Sequence, residues 1–146
     1  AAELVGATDA DDEPVGGLGR FIIEPDGAVI RARLIGDLAR SLNARMLHPS
    51  IAYLTTDAPV TTPFGASFEI EADLPLDLRT IKRELASRGI GTLEIKKRGV
   101  DIDPAVFRTK LGLRGPESAV LILTRIGDRR RALVARRLID DSQQGS

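Results

Sequence analysis

The 146-residue sequence has no cysteine and no tryptophan, one tyrosine, one histidine and one methionine, and an aromatic fraction of only 3%. Without cysteine there can be no disulfide, no thiolate nucleophile and no zinc-cysteine site. Four Phe and one Tyr remain, and a core or a strand face will claim most of them, so an exposed platform for stacking bases is not expected. No apolar run approaches the ~20 residues of a membrane-spanning helix. Residues 1 to 18 are acidic and Gly-rich, the reverse of a secretion signal. These absences predict a cytoplasmic protein with no membrane partner. Walker loops, zinc motifs and dinucleotide fingerprints are absent as well.

What is present is a 42% hydrophobic fraction supplied almost wholly by Leu, Ile, Val and Ala, enough for one real core in a domain of ordinary size. The first residue is Ala1 and not Met, which suggests a fragment of a longer protein. A net charge of zero hides a division: residues 1 to 74 hold five Arg against twelve Asp and Glu, a net −7, and residues 75 to 146 hold sixteen Lys and Arg against nine acids, a net +7. Such a dipole can turn its basic half toward a polyanion, although charge runs are more often simply solvated.

Along the chain, residues 1–19 combine acids with glycines and have little to bury, so they are expected to be a flexible linker. Gly16-Gly17-Leu18-Gly19 has the look of a phosphate loop but follows no strand. Residues 20–63 read as a connecting strand-helix-strand segment: a strand from Arg20 to Ile23, one helix from about Ala28 to Leu42, and a strand from Ile51 to Leu54, with Asn43 to Pro49 only ending the helix. Residues 64–139 read as strand-helix-strand-helix-strand-strand, closed by a hairpin at Gly127-Asp128. The fold class this predicts is α+β, a two-layer α/β sandwich with helices on one face of a mixed sheet. Residues 140–146 are a polar tail.

Its organising stretch is Leu93 to Pro104. Leu93 and Ile95 alternate with Glu94 and Lys96 as in a half-buried strand, Lys96-Lys97-Arg98 follow, Gly99 breaks the strand, and Asp103-Pro104 announces a helix. Cations at a strand's carboxyl end, beside a helix start, occupy the edge where α/β sheets tend to bind ligands. A wider cationic set surrounds them: Arg79, Lys82, Arg83, Arg88, Arg108, Lys110, Arg114 and Arg129 to Arg131. Clustered on one face they would grip phosphates; scattered they only solubilise. Other constellations are weaker. His48 with Ser50 and Asp57 lacks a nucleophile elbow. Asp101 and Asp103 could chelate a hard cation, but Asp103 reads better as the helix cap. Thr56-Asp57-Ala58-Pro59 resembles an amino-methyltransferase motif without its first proline, and is rejected as an active site.

The run Leu93 to Pro104, with Lys110-Leu111-Gly112-Leu113-Arg114-Gly115 and Leu123-Thr124-Arg125-Ile126-Gly127, resembles the THUMP-like domain at the C-terminus of a family of bacterial class I S-adenosylmethionine-dependent methyltransferases. Glu24 to Arg31, Ala52 to Thr55 and Thr62 to Phe64 resemble the segment joining that domain to the catalytic core. The resemblance implies a non-catalytic accessory domain, with no catalytic, cofactor or metal residues of its own. Its RNA-binding candidates are Arg83, Arg88, Lys96, Lys97, Arg98, Arg108, Lys110 and Arg114. It further implies transfer or ribosomal RNA as partner, a methyltransferase domain in cis, and S-adenosylmethionine as that domain's cofactor. The alternative is a structural, oligomerisation or protein-binding module that touches no nucleic acid.

Overall fold

A computed structural model describes residues 17–139. The expected linker up to Gly16 and the tail from Asp140 lie outside the described residues. Eleven elements follow one another: β1 (Phe21–Pro25), α1 (Gly27–Arg31), α2 (Ile35–Leu42), β2 (Arg45–His48), β3 (Ile51–Thr56), β4 (Gly65–Pro75), α3 (Leu78–Ser87), β5 (Ile90–Lys97), α4 (Pro104–Leu111), β6 (Glu117–Ile126) and β7 (Arg129–Arg137). The strands form one mixed sheet in the order β2-β3-β1-β4-β7-β6-β5. β5 and β6 run parallel, joined through α4, while β1 with β3, β1 with β4, β2 with β3 and β6 with β7 are antiparallel. The α+β class with an open mixed sheet is thus the observed one. Two compact units divide the chain, Ile70–Arg136 and the residues on either side of it.

In the Ile70–Arg136 unit the strand-helix-strand-helix-strand-strand order is β4 α3 β5 α4 β6 β7. Asp77 caps α3 by accepting the Thr80 amide at 2.9 Å, and Asp103 caps α4 by accepting the Ala105 amide at 2.9 Å, with Pro104 at the first helical position. Ile81, Leu85 and Leu111 from the helices meet Leu93 of β5, Leu121 and Leu123 of β6 and Ala132 and Val134 of β7 in one core. The alternate residues Val120 and Ile122, Leu133 and Ala135 are buried too, which is why β6 reads as apolar on both faces.

The other unit departs from the strand-helix-strand expectation in two places. The single helix expected from Ala28 to Leu42 is broken into α1 and α2, because Arg33 takes a left-handed backbone, φ 60°. The Arg33 amide donates to Ile30 O and the Leu34 amide to Val29 O, both at 3.1 Å, a Schellman closure with arginine where glycine is usual. Arg45 to His48, expected only to end the helix, forms the edge strand β2, paired with β3 across a bulge between Met46 and His48. Four residues are too few to show a period of two. Ile23, Val29, Leu38, Ala39 and Leu54 form this unit's helix-on-strand core. At its entry Arg45 donates Nε to Gly17 O at 2.8 Å and binds Asp57 with both terminal nitrogens.

Candidate functional site

Helix α4 separates two hollows in the Ile70–Arg136 unit. The first is built by the loop that leaves it. Leu111 is buried and anchors the helix end, and Gly112 turns the chain in a left-handed conformation, φ 56°. The loop is then pressed onto the start of β5: a Cβ on Gly91 would overlap the backbone of Gly115, with Gly115 N at 2.9 Å and its carbonyl oxygen nearer still. The Glu117 amide donates to Gly89 O at 2.9 Å beside this contact. Arg114 is therefore carried on a backbone held from both sides. With Lys82, Ala86, Ile90, Leu111 and Leu113 it lines a hollow of about 180 Å³ that has two cations and no carboxylate on its wall.

The second hollow, about 320 Å³, has apolar walls from Leu76, Ile102, Val106 and Phe107, with Lys110, Arg130, Asp101 and Asp103 around them. Val106 is 49% exposed although it is β-branched and apolar. Asp103 is occupied as the α4 cap.

The eight cations predicted to bind RNA meet different fates. Lys110 and Arg114, four residues apart, line the two hollows. Arg83 lies exposed on α3. There, hydrogen bonds from Thr80 hold the Asp77 carboxyl below its ordinary value, with Arg79 and Arg83 adding smaller attractions. Arg88 is bound to Glu84 at 2.7 Å and reaches Glu71 O at 3.3 Å. Lys96 sits 3.6 Å from Glu94, its neighbour on the same strand face. Lys97 is exposed at the end of β5, and Arg98 lies just past it, half-buried, its amide donating to Leu123 O at 3.1 Å. The Arg108 guanidinium donates to Leu93 O, tying α4 to the edge strand.

Among the described residues of the Ile70–Arg136 unit, Lys82, Lys97, Lys110, Arg114, Arg129 and Arg130 are exposed cations whose side chains have no ion pair or hydrogen bond. Arg79 and Arg83 are exposed beside Asp77, Arg108 is held by Leu93 O, and Arg31 and Arg33 are exposed in the other unit. Lys82 and Arg130 belong to the wider cationic set and not to the eight. The signal for Lys82 was its position four residues before Ala86 on α3, one turn away on the same face. Arg130 carried no comparable local signal, since the approach of the β6-β7 hairpin to α4 is a tertiary event.

Elsewhere, Ser50 donates its amide to His48 Nδ1 at 3.0 Å within their own turn. Asp57 is held by Arg45, whose hydrogen bonds and charge keep its carboxyl below the ordinary value. Ser50 Oγ also lies 3.0 Å from His48 Nδ1, while the hydrogen bonds seen for the Asp57 carboxylate come from Arg45. No helix among the described residues is long and apolar enough to cross a membrane.

Comparison with known proteins extends this picture. A Mycobacterium tuberculosis protein, named an uncharacterized S-adenosylmethionine-dependent methyltransferase in both the H37Rv and CDC 1551 strains, is 37% identical over 127 residues, which is 87% of this chain. The chain spans about a third of that relative's length, 35%. A crystal structure from Porphyromonas gingivalis W83, of a protein provisionally named a methyltransferase, superposes with a TM-score of 0.74 at 19% identity and covers 90% of this chain and 33% of its own. It shares the fold. The family model for the THUMP domain-like group matches residues 65–137, from the start of β4 to the end of β7 and thus across both hollows, and the chain belongs to that family.

Proposed function

We propose that this chain is the non-catalytic accessory part of an S-adenosylmethionine-dependent RNA methyltransferase, and that it binds transfer or ribosomal RNA through the basic surface around α4. In this reading residues 64–139 are the RNA-binding domain and residues 20–63 connect it to a catalytic domain in cis, in the cytoplasm. The carrying observation is that, of the six exposed cations of the Ile70–Arg136 unit whose side chains have no ion pair or hydrogen bond among the described residues, four line the hollows flanking α4. Cations already neutralised by a neighbour gain little from a phosphate. Unneutralised ones release the counterions of a polyanion, and that release supplies most of the affinity. Interactions of this kind fix register and orientation and carry no sequence information, as suits a part that presents RNA to an active site elsewhere. The methyl donor does not fit the hollow beside Lys82 and Arg114: its sulfonium and ammonium are positive, and that wall has two cations and no carboxylate. The names of the relatives support assigning the donor to the remainder of the protein.

The test is binding of fluorescent transfer RNA to the chain across a salt series. Lys82→Glu, Lys110→Glu and Arg114→Glu together should flatten the dependence of log affinity on log salt by roughly one unit for each phosphate no longer gripped, about three in all. Lys96→Glu, Lys97→Glu and Arg98→Glu together should flatten it less, because Lys96 is already paired. Arg31→Glu, in the other unit, should leave it unchanged. A folded chain that binds no RNA at low salt refutes the proposal.

A further inference from the structure

The hollow lined by Val106 and Phe107 has features that phosphate binding does not call for. A phosphate grip needs cations and water. This cavity offers apolar walls from Ile102, Val106 and Phe107, an exposed carboxylate at Asp101, and two cations, Lys110 and Arg130. Among the described residues Val106 and Ile139 are the exposed large hydrophobics. Val106 is placed beside half-buried Ile102 and Phe107, where a flat apolar partner would remove all three from water. At about 320 Å³ the hollow is at the lower end of the range for small-ligand sites, ~300 Å³ upward.

We infer that this hollow takes one unpaired nucleobase of a single-stranded RNA, with Asp101 accepting from the exocyclic amino group of the base and Lys110 and Arg130 facing its phosphates. The inference rests on the RNA-binding reading above and deepens it. Each part of a nucleotide has a counterpart of matching chemistry in the cavity. The base face meets side-chain carbon, and the phosphate meets cations that have no carboxylate partner among the described residues. An ionised carboxylate is acceptor-only, so Asp101 suits a base with an amino donor at that position and repels a carbonyl placed there. Asp103 is turned to its own helix, its Oδ1 accepting the Ala105 amide at 2.9 Å and the Val106 amide at 3.4 Å, whereas no hydrogen bond engages the Asp101 carboxylate among the described residues. Sequence composition argued against a base-stacking platform, and Phe107 is indeed half-buried against the core. Its exposed part instead forms one wall of a slot, a role that needs no fully exposed aromatic. Base-paired RNA cannot enter, since its bases are stacked and their edges engaged.

The experiment measures anisotropy of labelled oligo(C), oligo(U) and an RNA duplex of equal length with the whole chain. Cytosine and uracil differ along one edge, a 4-amino donor beside an acceptor N3 against a 4-carbonyl beside N3–H, and comparison with Asp101→Asn isolates the contribution of Asp101. Oligo(C) should bind about tenfold tighter than oligo(U), as for a hydrogen bond to a charged group. Asp101→Asn should abolish that preference. Val106→Gln, an exposed change that leaves the core intact, should weaken both single strands by about tenfold, the effect of losing the burial of one valine side chain, with the salt slope unaltered. Binding with a normal salt slope that does not distinguish oligo(C) from oligo(U), or strand from duplex, and that ignores Val106→Gln, overturns the slot and leaves the RNA reading standing. Absence of any RNA binding by the folded chain overturns both.

Discussion

Replacing Gly91 by alanine tests whether the loop that carries Arg114 is held by backbone contact with β5. The added methyl would lie 2.9 Å from Gly115 N and nearer to Gly115 O, so one backbone must retreat by about 1 Å to restore a normal van der Waals separation. Overpacking of this kind costs about 1–3 kcal/mol. The retreat also strains the Glu117 amide to Gly89 O bond at 2.9 Å, worth about 1 kcal/mol. Against these stands a gain of about 0.4–1 kcal/mol from a stiffer unfolded chain. The net is a destabilisation of about 2–3 kcal/mol, or about 6–10 °C in melting temperature for a chain of this size. Gly112→Ala is the counterpart. Its φ of 56° imposes left-handed strain, but the nearest atom, Lys82 Nζ, is 4.0 Å from the new methyl. It should cost only about 1–2 kcal/mol. Urea unfolding followed by circular dichroism gives both values, and RNA affinity in the same samples reports on Arg114. A Gly91→Ala variant within about 0.5 kcal/mol of wild type, with unchanged RNA binding, would show that the loop is not pinned to β5 and that the reasoning fails.

Three further outcomes are expected. Arg33→Gly should stabilise the chain by about 1 kcal/mol, because φ 60° is strained for arginine and relaxed for glycine; a lower urea midpoint refutes the Schellman assignment. Leu85→Ala, at a fully buried core position, should cost about 2–5 kcal/mol, whereas Val106→Ala should change stability by no more than about 0.5 kcal/mol; equal losses in thermal melts would contradict the stated burial. Asp57 and Asp77 both have carboxyls lowered from 3.8, by Arg45 and by Thr80 respectively. A depressed folded value means that their contribution is complete above the unfolded value and disappears as pH falls through the folded one. Urea midpoints should therefore decline below about pH 4 and do so less steeply in Asp57→Asn with Asp77→Asn; parallel curves would remove these two residues from the acid limb.

Several features were legible because they are properties of neighbouring residues. The alternation at Leu93 and Ile95, the doubly apolar run of β6, the cap at Asp103-Pro104 and the turn at Gly127-Asp128 each follow from side-chain period or backbone preference within a few positions. The Glu84 with Arg88 pair at four residues and the Glu94 with Lys96 pair at two were readable in principle for the same reason. The break at Arg33 was not, since nothing in an arginine side chain announces a left-handed backbone. Strand β2 was not, since a four-residue edge strand exists only through its partner β3.

The candidate site divides along the same line. From the sequence alone came the family resemblance, the basic half of the chain, and the loop Lys110 to Gly115 as a place of interest. Tertiary structure decided which of those cations keep an unneutralised charge. Arg108 is occupied by Leu93 O, fifteen residues away, while Lys82 and Arg130 approach α4 from separate elements to complete the two hollows. Charge is a property of a residue, but whether that charge is satisfied depends on which distant atoms the fold brings within a few ångströms of it.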